Sequence, residues 1–206
     1  EQVAARTSSD PAVQIGMPMG YNDVTIAQTF GQNNVASLWD YSQVNLNTVL
    51  KLDAPEFHIT YAQVQLLLAE AAVRGWVSGT AADYFTKGVR ANLEQMAQYG
   101  APIAETAIKA YLDAHPFDSS KALEQINTQY WVASFLDGTE AFANFRRSGF
   151  PALTKNPYPG SEVKGDFIRR MPYPDSEIVI NSAKLNEAIA RQGPNTLDTR
   201  VWWDKK

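Results

Sequence analysis

Two histidines, no cysteine and five tryptophans bound the chemistry open to this chain. His58 and His115 stand far apart, and neither shares a helical face with a second histidine, so the spacing offers no zinc site. Oxygen-only calcium coordination stays open, with no EF-hand loop to support it. Thiolate metal sites, disulfides and a Cys nucleophile are excluded. There is no G-x-S-x-G, and no pattern sets a histidine beside a serine. Glycoside hydrolysis needs two carboxylates facing one cleft, and any two of the 22 acids could in principle meet there. Glu70, Asp83, Glu94 and Glu140 all have sufficient roles as helix caps or solvated faces. No catalytic residue, metal or cofactor is expected.

The chemistry that remains is aromatic. A sugar ring lays its axial C–H groups flat on an indole or phenol face, while its hydroxyls need Asn, Gln, Asp or Arg at the rim. Tyr21-Asn22-Asp23, Gln32-Asn33-Asn34 and Trp39-Asp40-Tyr41 supply that mixture within one irregular segment. If Trp39–Tyr41 is locally extended, both rings face one side and suit consecutive sugar units, with Asn33, Asn34 and Asp40 as the rim. Trp76, in a predicted hairpin turn, and Tyr158, in a Pro-rich loop, are further ligand candidates. Each ring has an alternative use, plugging a loop onto the helices. Trp131, Trp202 and Trp203 are read as core.

The elements that must position these residues are mostly helical. Residues 1–56 are rich in Gly, Pro, Asn, Ser and Thr and read as loops, with short extended pieces near 24–30 and 43–50. Thr60 and Gln63 form a capping-box pattern ahead of a helix that is apolar on nearly every face and stops at Arg74-Gly75. Thr80 and Asp83 repeat the pattern, and Ala81, Tyr84, Phe85, Gly88, Val89, Leu93, Met96 and Ala97 follow helical spacing. Ala69, Ala81, Phe85 and Gly88 carry the offsets of a tetratricopeptide-type unit, in which small residues let two helices approach closely. Further helices are predicted over 103–114, from Asp118 or Ser119 through Leu136 with Leu123, Ile126, Tyr130 and Phe135 inward, over 139–147, and over 182–191. Residues 151–166 read as a loop, and no boundary is evident inside 57–206. Arg146-Arg147 read as helix C-terminal cations, the alternative being an anion or sugar-acid contact, and Arg169-Arg170 as part of a packed, extended segment.

At 206 residues and 45% apolar composition the chain can bury a real core. A net charge of −4 with no basic run beyond pairs argues against nucleic acid as partner. No apolar run approaches the roughly 20 residues that span a bilayer.

Four blocks, YAQVQLLLAEAAVRGW (61–76), WVASFLDGTEAFANFRRSGFP (131–151), FIRRMPYPDSEIVIN (167–181) and VWWD (201–204), occur in an order and spacing that resemble the C-terminal half of the SusD/RagB family. The resemblance runs over about residues 10–204. It implies a tetratricopeptide-like helical scaffold with long ordered loops, residues 1–56 being its loop-rich segment and 57–206 its helical part. It further implies the C-terminal part of a single longer domain whose N-terminal half, with its lipid-bearing Cys, is absent. The function it implies is a cell-surface lipoprotein of the outer membrane that captures oligosaccharide or another nutrient for a SusC-like TonB-dependent transporter, without catalysis. Two other readings stand beside it: a tetratricopeptide-like adaptor for a protein partner, which the hairpin alone supports, and a helical glycosidase.

Overall fold

In the computed structural model, which describes Ser8 and residues 10–204, regular structure is helical and no strand occurs among the described residues. The α-helices are α1 (Phe30–Asn33), α2 (Tyr61–Val73), α3 (Ala81–Gln95), α4 (Glu105–Ala114), α5 (Ala122–Ala133), α6 (Gly138–Ser148), α7 (Asp175–Ile180) and α8 (Ser182–Gln192), joined by loops and short 3-10 turns. The chain divides into two compact units: Leu46–Leu153, and the described residues before Leu46 together with those from Thr154 on. The division after Leu153 lies inside the stretch where the sequence offers no boundary.

In the Leu46–Leu153 unit, Thr60 opens α2 with a complete capping box: its Oγ1 accepts from Gln63 N–H, and Gln63 Oε1 accepts from Thr60 N–H. That reciprocal pair satisfies two of the donors a helix start leaves orphaned. Gly75, at φ +72°, ends α2, and Thr80 caps α3 by accepting from Asp83 N–H. The two helices form the expected hairpin, and α5 lies against α2. Ala62, Leu66 and Ala69 of α2 meet Phe85 and Val89 of α3 and Ile126, Tyr130 and Ala133 of α5 in one core. Close approach depends on Gly88, where an added Cβ would sit 2.7 Å from Leu66 Cγ and 3.2 Å from the Ala62 carbonyl. That contact is the physical content of the small-residue pattern read at Ala69, Ala81, Phe85 and Gly88.

A polar knot ties α2, α5 and α6 together. Glu70, buried at 5% exposure, accepts from Arg74 Nε and Nη2 at 2.9 and 2.8 Å and from both Arg147 Nη atoms at 2.7 and 2.9 Å. Arg147 Nη2 also reaches Asn127 Oδ1 and Asn144 Oδ1. Glu70 is therefore no solvated face, as its sequence position suggested. Burial pulls its carboxyl upward, but the hydrogen bonds from Arg147 and Arg74 and their charges outweigh that and hold it below the usual carboxylate range. Arg147 serves the scaffold.

Several expectations are corrected. The 24–30 region is not extended but a 3-10 turn, Ile26–Thr29, running into α1, and 46–50 is a run of turns. The helix expected through Leu136 ends at Ala133, and Leu136 takes a positive φ of 72°. Its inward stripe is Ile126, Tyr130 and Ala133, spaced i, i+4, i+7, which leaves Trp131, read as core, exposed, along with Phe135 beyond the helix end.

The other unit holds α1, α7 and α8. Helix α7 is absent from the sequence reading, although Pro174 just before it and Asp175 and Glu177 in its first turn suit a helix N-terminus. Trp202 and Trp203, expected in the core, are exposed. The reason lies two residues on: Asp204 is the buried member of this turn, held by Arg200 at 2.6 Å and Arg169 at 3.8 Å, so the turn faces its acid inward and its indoles outward.

Candidate functional site

The loop-rich segment is more tightly built than its composition suggests. Asn22 Oδ1 accepts from the Val24 and Thr25 amides, which starts the turn leading to Ile26–Thr29 and α1. Asn34 ends α1 in the left-handed region at φ 53°, a position Asn tolerates better than most residues. The chain then makes a second 3-10 turn, Leu38–Asp40, in which Asp40 Oδ2 accepts from Ala36 N–H at 2.8 Å and Ser37 N–H at 2.9 Å.

This turn decides what the aromatic pair can do. Successive residues of a 3-10 turn are rotated by about 120°, so residues two apart point in different directions. Trp39 projects outward at 67% exposure, whereas Tyr41 is buried at 1%. The Tyr41 hydroxyl lies 2.6 Å from Thr29 Oγ1 and accepts from Asn33 Nδ2 at 3.0 Å. Because Thr29 Oγ1 already donates to the Ile26 carbonyl, Tyr41 is the donor of that short bond. The two-ring platform drawn from an extended Trp39–Tyr41 is thus corrected: one ring faces solvent and the other anchors the loop. Asn33 and Asp40 likewise spend their side chains on the scaffold, and of the proposed rim only Asn34 stands exposed.

Neighbouring loops of the same unit are joined to this one. Ser42 exchanges hydrogen bonds with the Ile15 backbone and donates to Gln14 Oε1. At Gly20, φ +91°, a Cβ would fall 2.6 Å from Pro157 Cγ, so the 156–158 loop lies directly on residue 20 beside the exposed Tyr21. Tyr158 is about half exposed, with its ring against the Gly160 backbone. Trp39, Tyr21 and Tyr158 are therefore the outward aromatics of these loops. Trp76 belongs to the other unit, where it is 72% exposed on the turn after α2 and holds the Arg74 guanidinium 5.3 Å from its ring centre.

One feature of the Leu46–Leu153 unit has no signal in the sequence. A cavity of about 180 Å3 lies among His58, Ile59, Gln63, Val64, Leu67, Tyr130 and Glu140. Tyr130 donates to Glu140 Oε1 at 2.8 Å, and burial together with that carboxylate pushes its hydroxyl well above the usual phenol range, so it remains a proton donor. Helix offsets do not reveal the cavity, because its polar groups come from the loop before α2 and from three separate helices, α2, α5 and α6. It holds one carboxylate, short of the pair that glycoside hydrolysis uses. No group of three or more metal-ligating side chains occurs among the described residues, and none of their helices is long and apolar enough to cross a membrane.

Comparison with known proteins agrees with this architecture. No curated protein matches the chain. Among solved structures, a chitin-binding protein is 37% identical with a TM-score of 0.76, the match covering 84% of this chain and 39% of that one. A SusD-like protein from Bacteroidetes is 29% identical with a TM-score of 0.70, over 92% of this chain and 40% of its own. A SusD homologue from Bacteroides fragilis is 28% identical with a TM-score of 0.71, over 98% and 46%. The chain thus spans about two fifths of the length of these relatives. A family model described as "starch-binding associating with outer membrane" matches residues 9–174. With that match over most of its length, and with the helical architecture it shares with SusD homologues, the chain belongs to the SusD/RagB family.

Proposed function

We propose that this chain is the C-terminal part of a single longer SusD-like domain that binds oligosaccharide at the cell surface and hands it to a SusC-like TonB-dependent transporter, without catalysis. The outer-membrane association of the family and the chitin-binding relative support the setting. The lipid anchor and most of the remaining fold would lie in the part of the relatives that this chain does not cover. The observation that carries the reading is Trp39, an exposed indole on a 3-10 turn whose backbone is fixed by Asp40 and whose base is bolted down by Tyr41, Thr29 and Asn33. A stacking face mounted on a rigid loop loses little freedom when a sugar docks. Asn34 and Tyr158, exposed in the same unit, are further candidate contacts, and Trp76 is a separate aromatic candidate in the other unit.

Each stacking ring contributes roughly 1–2 kcal/mol, so Trp39→Ala in the full-length protein is expected to weaken chito-oligosaccharide binding about tenfold. Its melting temperature should stay close to wild type. Titration calorimetry beside thermal melts decides: unchanged affinity for chitin and starch oligosaccharides would remove Trp39 from the site and leave Trp76 and Tyr158 as candidates.

A further inference from the structure

The VWWD tail borders a groove in the unit that holds α7 and α8. Its volume is about 370 Å3, within the roughly 300–1,000 Å3 of small-ligand sites, and Tyr173, Arg191, Gln192, Arg200 and Trp202 line it. The walls are mounted from behind. Arg169 and Arg170 N–H both donate to the Leu197 carbonyl, and Asn195 Oδ1 accepts from Tyr173 N–H at 2.8 Å and from Arg170 Nη2 at 3.2 Å. The Arg170 guanidinium, buried, sits 4.6 Å from the Tyr173 ring centre, and Tyr173 donates its hydroxyl to Gln192 Oε1 at 3.0 Å. Gln192 therefore has its oxygen occupied and its amide N–H groups to offer. Arg200 is oriented by one bond, Nη1 to Asp204 Oδ1 at 2.6 Å, which leaves further N–H donors on its fork. Arg191, exposed in the last turn of α8, carries no ion pair among the described residues. Trp202 stands at the edge, 85% exposed.

We propose that this groove is a second ligand site, for an oligosaccharide bearing a carboxylate such as a uronic acid. The inference rests on the reading of the chain as a glycan binder, but not on Trp39. The groove offers Arg191, Arg200 and the Gln192 amide as donors, and no carboxylate lines it. A neutral sugar hydroxyl both donates and accepts, so a wall of donors leaves half of its hydrogen bonding unmet. A carboxylate only accepts, and two of its oxygens fit a guanidinium fork. The Trp202 indole supplies the face on which the sugar ring stacks. The positive site is local on a chain of net charge −4, which disfavours a nucleic-acid phosphate backbone as occupant.

The test uses the full-length protein, a galacturonic acid trimer, its methyl ester and a neutral chito-oligosaccharide, in titrations at low and high salt. The acid is expected to bind at least tenfold more tightly than the ester, and the difference should shrink with salt. Trp202→Ala and Arg191→Gln should each weaken the acid about tenfold while leaving chito-oligosaccharide affinity and the melting temperature unchanged. Equal binding of acid and ester, no binding of the acid, or wild-type affinity in both variants would overturn the proposal. So would protection of Trp202 from hydroxyl-radical oxidation in the ligand-free full-length protein, which would mean that the rest of the chain covers the groove. Preference for a peptide C-terminal carboxylate over the trimer would overturn the sugar class. In the unmodified protein, absence of chito-oligosaccharide binding with acid binding intact would count against the Trp39 reading alone.

Discussion

Trp39 and Tyr41 are two residues apart in the chain and lie at opposite extremes of exposure, and the same kind of split recurs between Trp202 and Asp204. In both turns a polar group fixes which side chain turns inward: the Tyr41 hydroxyl finds Thr29 and Asn33, and the Asp204 carboxylate finds Arg200. Glu70 shows the same logic inside the core, where a carboxylate is kept because two guanidinia surround it. Its carboxyl lies below the usual range in the folded state. Its contribution to stability is therefore complete above the ordinary carboxylate pKa of about 4.3 and is lost as pH falls through the lower folded value. Glu70→Gln should cost about 3 kcal/mol near neutral pH, since it leaves Arg147 and Arg74 short of a partner. In denaturant titrations it should also lose less stability than wild type between about pH 5 and pH 3. An identical acid dependence in the two proteins would show that Glu70 is not protonated in that interval.

At the scale of elements, the α2–α3 hairpin is the part that single substitutions can probe. Gly88→Ala drives a methyl into Leu66 and the Ala62 carbonyl, and should cost about 1–3 kcal/mol as the helices are pushed apart. Gly138→Ala, at the start of α6 with nothing within 4 Å of the new Cβ, should stay within about 0.5 kcal/mol. Equal chemical-denaturation midpoints for the two would mean that the hairpin gives way freely at Gly88. The helices α2 to α6 were legible in the sequence because their caps are local: Thr60 with Gln63, Thr80 with Asp83, and the glycines at 75, 100 and 149. The loops were not. Whether Tyr41 or Trp39 turns inward depends on a Thr29 hydroxyl twelve residues away, and the inward face of α5 depends on what α2 offers it. Of the site, the candidate residue types were legible and their division of labour was not. Asn33, Asp40 and Tyr41 read as ligand contacts because polar and aromatic side chains that brace a loop are the same types that bind a sugar.

At the scale of the whole molecule, α2 leaves Tyr61, Val64 and Leu67 open to solvent, and Ile59, Phe135 and Leu136 are also exposed. Apolar surface left open in this way favours association. Expressed by itself, this chain should bind a hydrophobic dye and melt broadly, and calorimetry should find no single cooperative transition. A soluble monomer with one sharp transition would show that the exposed faces need no cover. The division of the chain into units also sets an order of assembly. The helices of Leu46–Leu153 are contiguous and complete once residue 153 has been made, whereas the unit carrying Trp39 draws on both sides of that insert and cannot close until Pro157 reaches Gly20. During vectorial synthesis the loop with the exposed indole is thus made before that helical unit and secured after it. A polypeptide cut short after Leu153 would keep α2 to α6 while losing α7, α8 and the backing of the Gly20 loop, and the helix content that remained would say nothing of whether that loop is secured.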